Sequence, residues 1–133
     1  MEEQDCRAIG RYRPYRSWGE QQIALLMDRE GIAYQYEYPL ALMDDGKVKL
    51  YYPDFTLPCY GLIVEYFGVQ NSSDYERKTS NKMNAYRKAG IETIVITNDF
   101  FKGDWPSRIM GQIEHVLQSR VERFGRRNEG EKK

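Results

Sequence analysis

Two short apolar runs separated by a polar, helix-patterned stretch constrain this chain more than any other feature. "LIVEYF" (62–67) is continuously apolar except at Glu65, and "IETIVIT" (91–97) is a second run of the same kind. Runs this short and this apolar belong at the centre of a sheet, buried on both faces. Between them, Ser73 and Glu76 have capping-box spacing, so a helix is predicted from near Asp74 to just before Gly90. A strand, a helical crossover and a second strand place the two strands side by side and parallel. Upstream, "AYQYEYPLAL" and "VKLYYPDFTL" read as strands joined at Asp45-Gly46, a strong hairpin signal, with Pro53 marking an edge or a bulge. Ser17 and Glu20 in "SWGE" have the spacing of a capping box, and Gly31 is the stop of the helix they begin. Asp104 caps a last helix with Pro106 in its first turn, carrying Ile109, Ile113, Val116, Leu117 and Val121 at helical spacing. The expected fold is α/β, a mixed central sheet of about four to five strands flanked by helices. The expected order is helix, three strands, helix, strand, helix. Residues 1–16 form a basic and aromatic arm, 17–124 the folded domain, and 125–133 a charged tail.

Within this frame two carboxylates are out of place. Asp54 and Glu65 sit eleven residues apart with apolar and aromatic neighbours on every side. An isolated buried carboxylate is costly unless it is paired, hydrogen-bonded or bound to metal. Side chains alternate along a strand, so Val48, Leu50, Tyr52 and Asp54 are expected on one face of their strand, and Ile63, Glu65 and Phe67 on one face of the next. Pairing across "TLPCYG" brings Asp54 and Glu65 together at one end of the sheet. Two close carboxylates repel unless a proton or a cation intervenes. A hard divalent cation such as Mg²⁺ takes one or two carboxylates plus waters and phosphate, which makes the pair a metal seat. Glu20, from the first helix, is a candidate third oxygen ligand, direct or through water. Taken singly, an Asp after Pro is an ordinary turn residue and a Glu near a strand end an ordinary edge charge.

Composition excludes several classes. At 133 residues the chain suits one domain, and 41% hydrophobic with 30% charged residues fits a globular protein. Its apolar runs are far shorter than the roughly 20 residues that span a bilayer, and "MEEQDCRAIGRYRPYR" has no apolar signal segment. Cys6 and Cys59 are too few for a disulfide framework or a cysteine zinc site, so a cytoplasmic location is expected, and the short apolar runs predict no membrane partner. His115 is the sole histidine and is read as a surface or boundary residue, which argues against histidine-based nuclease chemistry. Net charge is zero, yet Arg7, Arg11, Arg13 and Arg16 alternate with Tyr12 and Tyr15 near the start, and Arg120, Arg123, Arg126, Arg127, Lys132 and Lys133 cluster at the end. Such segments either contact phosphates and stack on bases or form solvated tails.

"SWGE", "YPDF", "LIVEYFG" and "SDYERKTSNKMNAYRKAG", in that order over roughly residues 17–97, resemble the PD-(D/E)XK nuclease superfamily. The likeness is to small members with a PDF…E-aromatic-aromatic-G signature, relatives of restriction, mismatch-repair and junction-resolving endonucleases. It implies a restriction-endonuclease-like fold and a metal-dependent endonuclease that hydrolyses DNA phosphodiester bonds to 5′-phosphate ends, in DNA repair, recombination or restriction. It adds nucleoid association as the alternative location. It also implies Mg²⁺ as cofactor, with Mn²⁺ as a substitute, held by Asp54, Glu65, the main-chain carbonyl of Tyr66 and Glu20. The pattern wants lysine two residues after the glutamate, and here that position is Phe67. Some relatives supply the cation from the following helix. Tyr75, Lys78, Lys82 and Tyr86 form one helical stripe, and Lys82-x-x-x-Tyr86 resembles the Gln-x-x-x-Tyr motif of some relatives. Lys82 is the first candidate for the displaced lysine and Lys78 the second. The catalytic set is therefore Asp54, Glu65, Lys82, Lys78 and Glu20. Arg11, Arg13, Arg16, Tyr12, Tyr15, Gln70 and Tyr86 are the candidates for contact with DNA. The alternatives are a catalytically inactive nucleic-acid-binding module of the same fold, an RNA substrate, or an interaction domain whose carboxylates are edge charges. The aromatic strand "AYQYEY" serves either a homodimer surface or the core.

Overall fold

A computed structural model describes residues 15–68 and 73–131, the last six without their side chains. They form an α/β fold of two compact units, one ending at Phe101 and the other beginning at Lys102.

In the first unit, helix α1 (Trp18–Glu30) begins at Ser17, whose Oγ accepts the Glu20 amide at 3.1 Å, and ends at Gly31. Gly31 takes φ 71°, the left-handed conformation in which its N–H reaches the carbonyls of Met27 and Asp28. The buried stripe of α1 is Ile23, Ala24, Leu26 and Met27, and Glu20 is buried with it. Strands β1 (Gln35–Tyr36), β2 (Leu40–Asp44), β3 (Lys47–Tyr51), β4 (Phe55–Leu57) and β5 (Leu62–Phe67) follow, then helix α2 (Ser73–Lys88) and strand β6 (Glu92–Thr97). A single 3₁₀ turn, Asn98–Phe100, closes the unit.

The sheet runs β1-β4-β5-β6. β4 and β5 are antiparallel, with Phe55 opposite Val64, and β5 and β6 are parallel, with Glu65 opposite Val95. The helical crossover through α2 thus joins two parallel strands, the arrangement expected of the two apolar runs. Phe55, Leu57, Leu62, Ile63, Val64, Ile94 and Ile96 fill the sheet's part of the core.

The upstream strands differ from expectation. "AYQYEYPLAL" is divided between β1 and β2, and "VKLYYPDFTL" between β3 and β4. β2 and β3 form a separate two-stranded hairpin around Asp45-Gly46, both residues having positive φ. Two breaks cause the division. Glu37 adopts φ 51°, and Pro39 and Pro53 lack the N–H a ladder needs. The alternation expected from Val48 to Asp54 therefore fails at Pro53. Val48, Leu50 and Tyr52 are exposed, whereas Asp54 is buried.

In the second unit, helix α3 (Trp105–Glu131) runs without a break past residue 124, so the tail expected from 125 is helical through Glu131. Ile109 and Ile113 are buried, Val116 and Leu117 are partly covered, and Val121 is exposed, so the apolar stripe fades along the helix. His115 is exposed. Among the described residues no helix is long and apolar enough to cross a membrane.

Gly19 in α1 is set by a close approach. A Cβ at this position would lie 2.6 Å from Cε1 and 2.7 Å from Oη of Tyr66, whose hydroxyl is anchored to Asn98 and whose ring packs on Phe101. Alanine is normally about 1 kcal/mol better than glycine within a helix. Gly19→Ala is expected to lose that gain and to destabilise by about 1–2 kcal/mol through overpacking, measured by denaturant unfolding. In a Tyr66→Ala background the same change becomes neutral or stabilising.

Candidate active site

The site is built where β4, β5, α1 and α2 meet. Continuing the β4–β5 register by one pair sets Asp54 opposite Glu65, just beyond the last ladder pair. Backbone pairing stops there, and the two carboxylates take it over. The Asp54 amide donates to Glu65 Oε2 at 3.1 Å, and the Tyr66 amide donates to Asp54 Oδ2 at 2.8 Å. Asp54 and Glu65 are thus adjacent and interlocked through each other's strand. They are 3% and 1% exposed.

Each carboxylate has its own cation. Lys82 Nζ, from α2, lies 2.8 Å from Glu65 Oε1 and also donates to the Tyr52 carbonyl at 3.1 Å. One helical turn on, the Tyr86 hydroxyl donates to Glu65 Oε2 at 3.3 Å. Arg16 Nη2 lies 2.8 Å from Asp54 Oδ1 and 3.1 Å from Glu20 Oε2, while its Nε meets Glu37 Oε2 at 2.9 Å. Glu20, 3% exposed, also accepts the Arg16 amide at 2.9 Å and the Tyr36 hydroxyl at 3.0 Å. Capping explains its position: the Ser17 cap places residue 20 in the first turn, and its carboxylate turns back to the chain entering the helix.

Burial and the negative field of Glu65 push the Asp54 carboxyl up to about 7, against the opposing pull of the Tyr66 amide and Lys82. Burial raises the Tyr36 phenol to about 12, and burial together with Glu65 raises Tyr86. Both phenols therefore remain O–H donors to Glu20 and Glu65 over the whole working pH range.

The structure gathers Glu20, Asp54, Glu65 and Lys82 of the residues singled out from sequence. Lys78 is exposed. The contact at Tyr66 is made by its amide, which reaches Asp54. Tyr86, read from sequence as a DNA contact, is 1% exposed, with its hydroxyl bonded to Glu65 and its ring edge-on to Tyr51. Arg16 belongs to the carboxylate cluster. Tyr15 packs edge-on against Tyr36 at 4.6 Å, and its hydroxyl pairs with that of Tyr34 at 2.8 Å. Arg11, Arg13, Tyr12 and Gln70 lie outside the described residues. Tyr36 and Glu37 were not foreseen. Their one sequence signal is the alternation in "YQYEY", which does not reveal the turn at Glu37 that aims its carboxylate at Arg16.

The oxygens of Asp54, Glu20 and Glu65 are carboxylate oxygens, the chemistry a hard cation prefers. One nitrogen within 3.1 Å of both Asp54 and Glu20 shows that two oxygens from different elements converge on a single cationic point. The set therefore fits a divalent ion bound by one or two carboxylates with water completing its shell. Among the described residues no three His, Cys, Asp or Glu side chains form a ready metal cluster. Compared with protein-family models, curated proteins and solved structures, the chain matched none.

Two predictions follow the electrostatics. Because the Asp54 carboxyl is raised above its unfolded value of 3.8, the folded state holds the extra proton between that value and about 7. Its contribution to the stability of the metal-free protein is full below about pH 4 and lost as pH rises through 7. Asp54→Asn is expected to flatten the fall in melting temperature between pH 5 and 8. Lys82→Met leaves the Glu65 carboxylate buried without its cation and is expected to cost about 3 kcal/mol. Lys82→Met with Glu65→Gln costs less than the sum of the two single changes in a double-mutant cycle.

Proposed function

We propose that this chain is a metal-dependent endonuclease acting on DNA, with a restriction-endonuclease-like arrangement of its mixed sheet. One observation carries the reading: Lys82 reaches Glu65 from α2 at 2.8 Å, beside Asp54. The resemblance to the PD-(D/E)XK nucleases leaves Phe67 at the position of their strand lysine, and a cation delivered from the helix answers that departure. A fold in which Asp54 and Glu65 were simple edge charges has no need to bury both, interlock them through main-chain amides and add an ammonium.

Asp54 and Glu20 would hold Mg²⁺ at their convergence, with Glu65 beside them. When bound, the ion supplies Lewis-acid polarisation of a phosphate and a lowered pKa for water. The chain's own residues do the rest. The Tyr66 amide fixes the Asp54 carboxylate in orientation, and Tyr86 and the Asp54 amide fix that of Glu65. Lys82, one-quarter exposed, would hold a water by hydrogen bond and offset negative charge growing on a phosphate. Mn²⁺ is expected to substitute for Mg²⁺. A role in repair, recombination or restriction, and a cytoplasmic or nucleoid-associated setting, belong to the same reading.

The test is cleavage of a panel of duplex, flap, junction and mismatched DNA, with matched RNA, in Mg²⁺ or Mn²⁺. Asp54→Asn and Glu65→Gln should reduce cleavage at least 1,000-fold, about 4 kcal/mol of barrier, with far-UV circular dichroism retained. Lys82→Met should reduce it by about 100-fold or more. DNA binding in Ca²⁺ without cleavage in Mg²⁺ or Mn²⁺ would instead identify an inactive binding module, and cleavage that survives Asp54→Asn would overturn the active-site assignment.

A further inference from the structure

We infer that Arg16 is a tethered cation that occupies the metal seat and is displaced when the divalent ion enters. The inference rests on the metal-dependent reading above. Three features carry it.

The first is position. Arg16 Nη2 sits at the point where Asp54 Oδ1 and Glu20 Oε2 converge, 2.8 and 3.1 Å away. A cation bridging those two oxygens and the Nη2 group cannot share that point. The second is exposure. The carboxylates beneath are 4% exposed as side chains, whereas the Arg16 side chain is 62% exposed. Lys82, at 25%, is less exposed and donates to both Glu65 and the Tyr52 carbonyl. The guanidinium therefore covers the seat from the solvent side and can leave it without first being unburied.

The third is a second anchor. Arg16 Nε meets Glu37 Oε2 at 2.9 Å, outside the shared point. Glu37 is held at φ 51° while its amide donates to the Asp54 carbonyl at 3.1 Å. A non-glycine residue in that conformation persists only where its surroundings over-determine it. Here the conformation directs a carboxylate to the far side of the guanidinium. Arg16 can give up Asp54 and Glu20 and keep Glu37, so displacement moves it aside without releasing it.

Charge favours the exchange. Glu20, Glu37, Asp54 and Glu65 are opposed by Arg16 and Lys82, so two negative charges stay uncompensated when all four are ionised. A divalent ion replacing one guanidinium contact meets that deficit more closely than the single charge does. In the metal-free protein Arg16 holds the carboxylates together against their repulsion, and it sets a threshold that metal must exceed.

The experiment uses the full chain and Mn²⁺ alone, titrated calorimetrically into wild type, Arg16→Gln and, as a control at an exposed ion pair, Arg29→Gln. Arg16→Gln is expected to melt at a lower temperature without metal and to bind Mn²⁺ about tenfold more tightly, the factor produced by about 1.4 kcal/mol of lost competition. Arg29→Gln should match wild type. In wild type, the Arg16 Nη resonances should shift as Mg²⁺ is added while Nε–H stays protected. This readout needs no variant to fold. Unchanged or weaker Mn²⁺ binding by Arg16→Gln, or Nη resonances unmoved at saturating Mg²⁺, overturns the inference and leaves the metal-dependent reading standing. Absence of Mn²⁺ binding in wild type and Arg16→Gln alike removes both.

Discussion

The structure of the first unit depends on how a carboxylate 1% exposed to solvent is partnered. Glu65 lies inside β5, among the most apolar residues of the chain, and every direction in which its oxygens point is answered. Lys82 and Tyr86 come from the following helix, and the Asp54 amide from the neighbouring strand. An uncompensated charge there would cost several kcal/mol. Satisfying it commits α2 to one rotation about its axis and β4 to one register. The same three bonds tie one face of α2 to the end of the β4–β5 ladder.

Asp54 extends that arrangement outward. Its amide is spent on Glu65 and its carboxylate on the Tyr66 amide, so the β4–β5 ladder continues for one more step with side chains in place of the backbone. The outer oxygen is then free to meet α1 through Arg16 and Glu20. Charges alternate across the cluster, from the ammonium of Lys82 through the buried carboxylates to the exposed guanidinium of Arg16. Solvent access is lowest at the two carboxylates in the middle and highest at the guanidinium.

How much of this was legible can be judged residue by residue. The α1 cap at Ser17, the stop at Gly31, the Asp45-Gly46 turn and the β5–α2–β6 crossover follow from local chemistry, and each was read from its own residues. So was the stripe bringing Lys82 and Tyr86 to one side of α2, because helical spacing is a local property. The division of the upstream strands was not legible. Proline signalled a break, but the positive φ of Glu37 is held by a bond to the Asp54 carbonyl, seventeen residues away. Arg16 was read with its basic neighbours as a contact for nucleic acid, because nothing near it in sequence announces three carboxylates from α1, the end of β1 and the start of β4.

The chain's own order of residues determined which groups carry charge among apolar neighbours, and hence that Asp54 and Glu65 need partners. Periodicity added which helix face could supply one. Only the tertiary structure decided which cation meets which carboxylate. Ion pairing depends on distances across elements, and those distances arise when β4 and β5 come into register and the turn before α1 folds back over them.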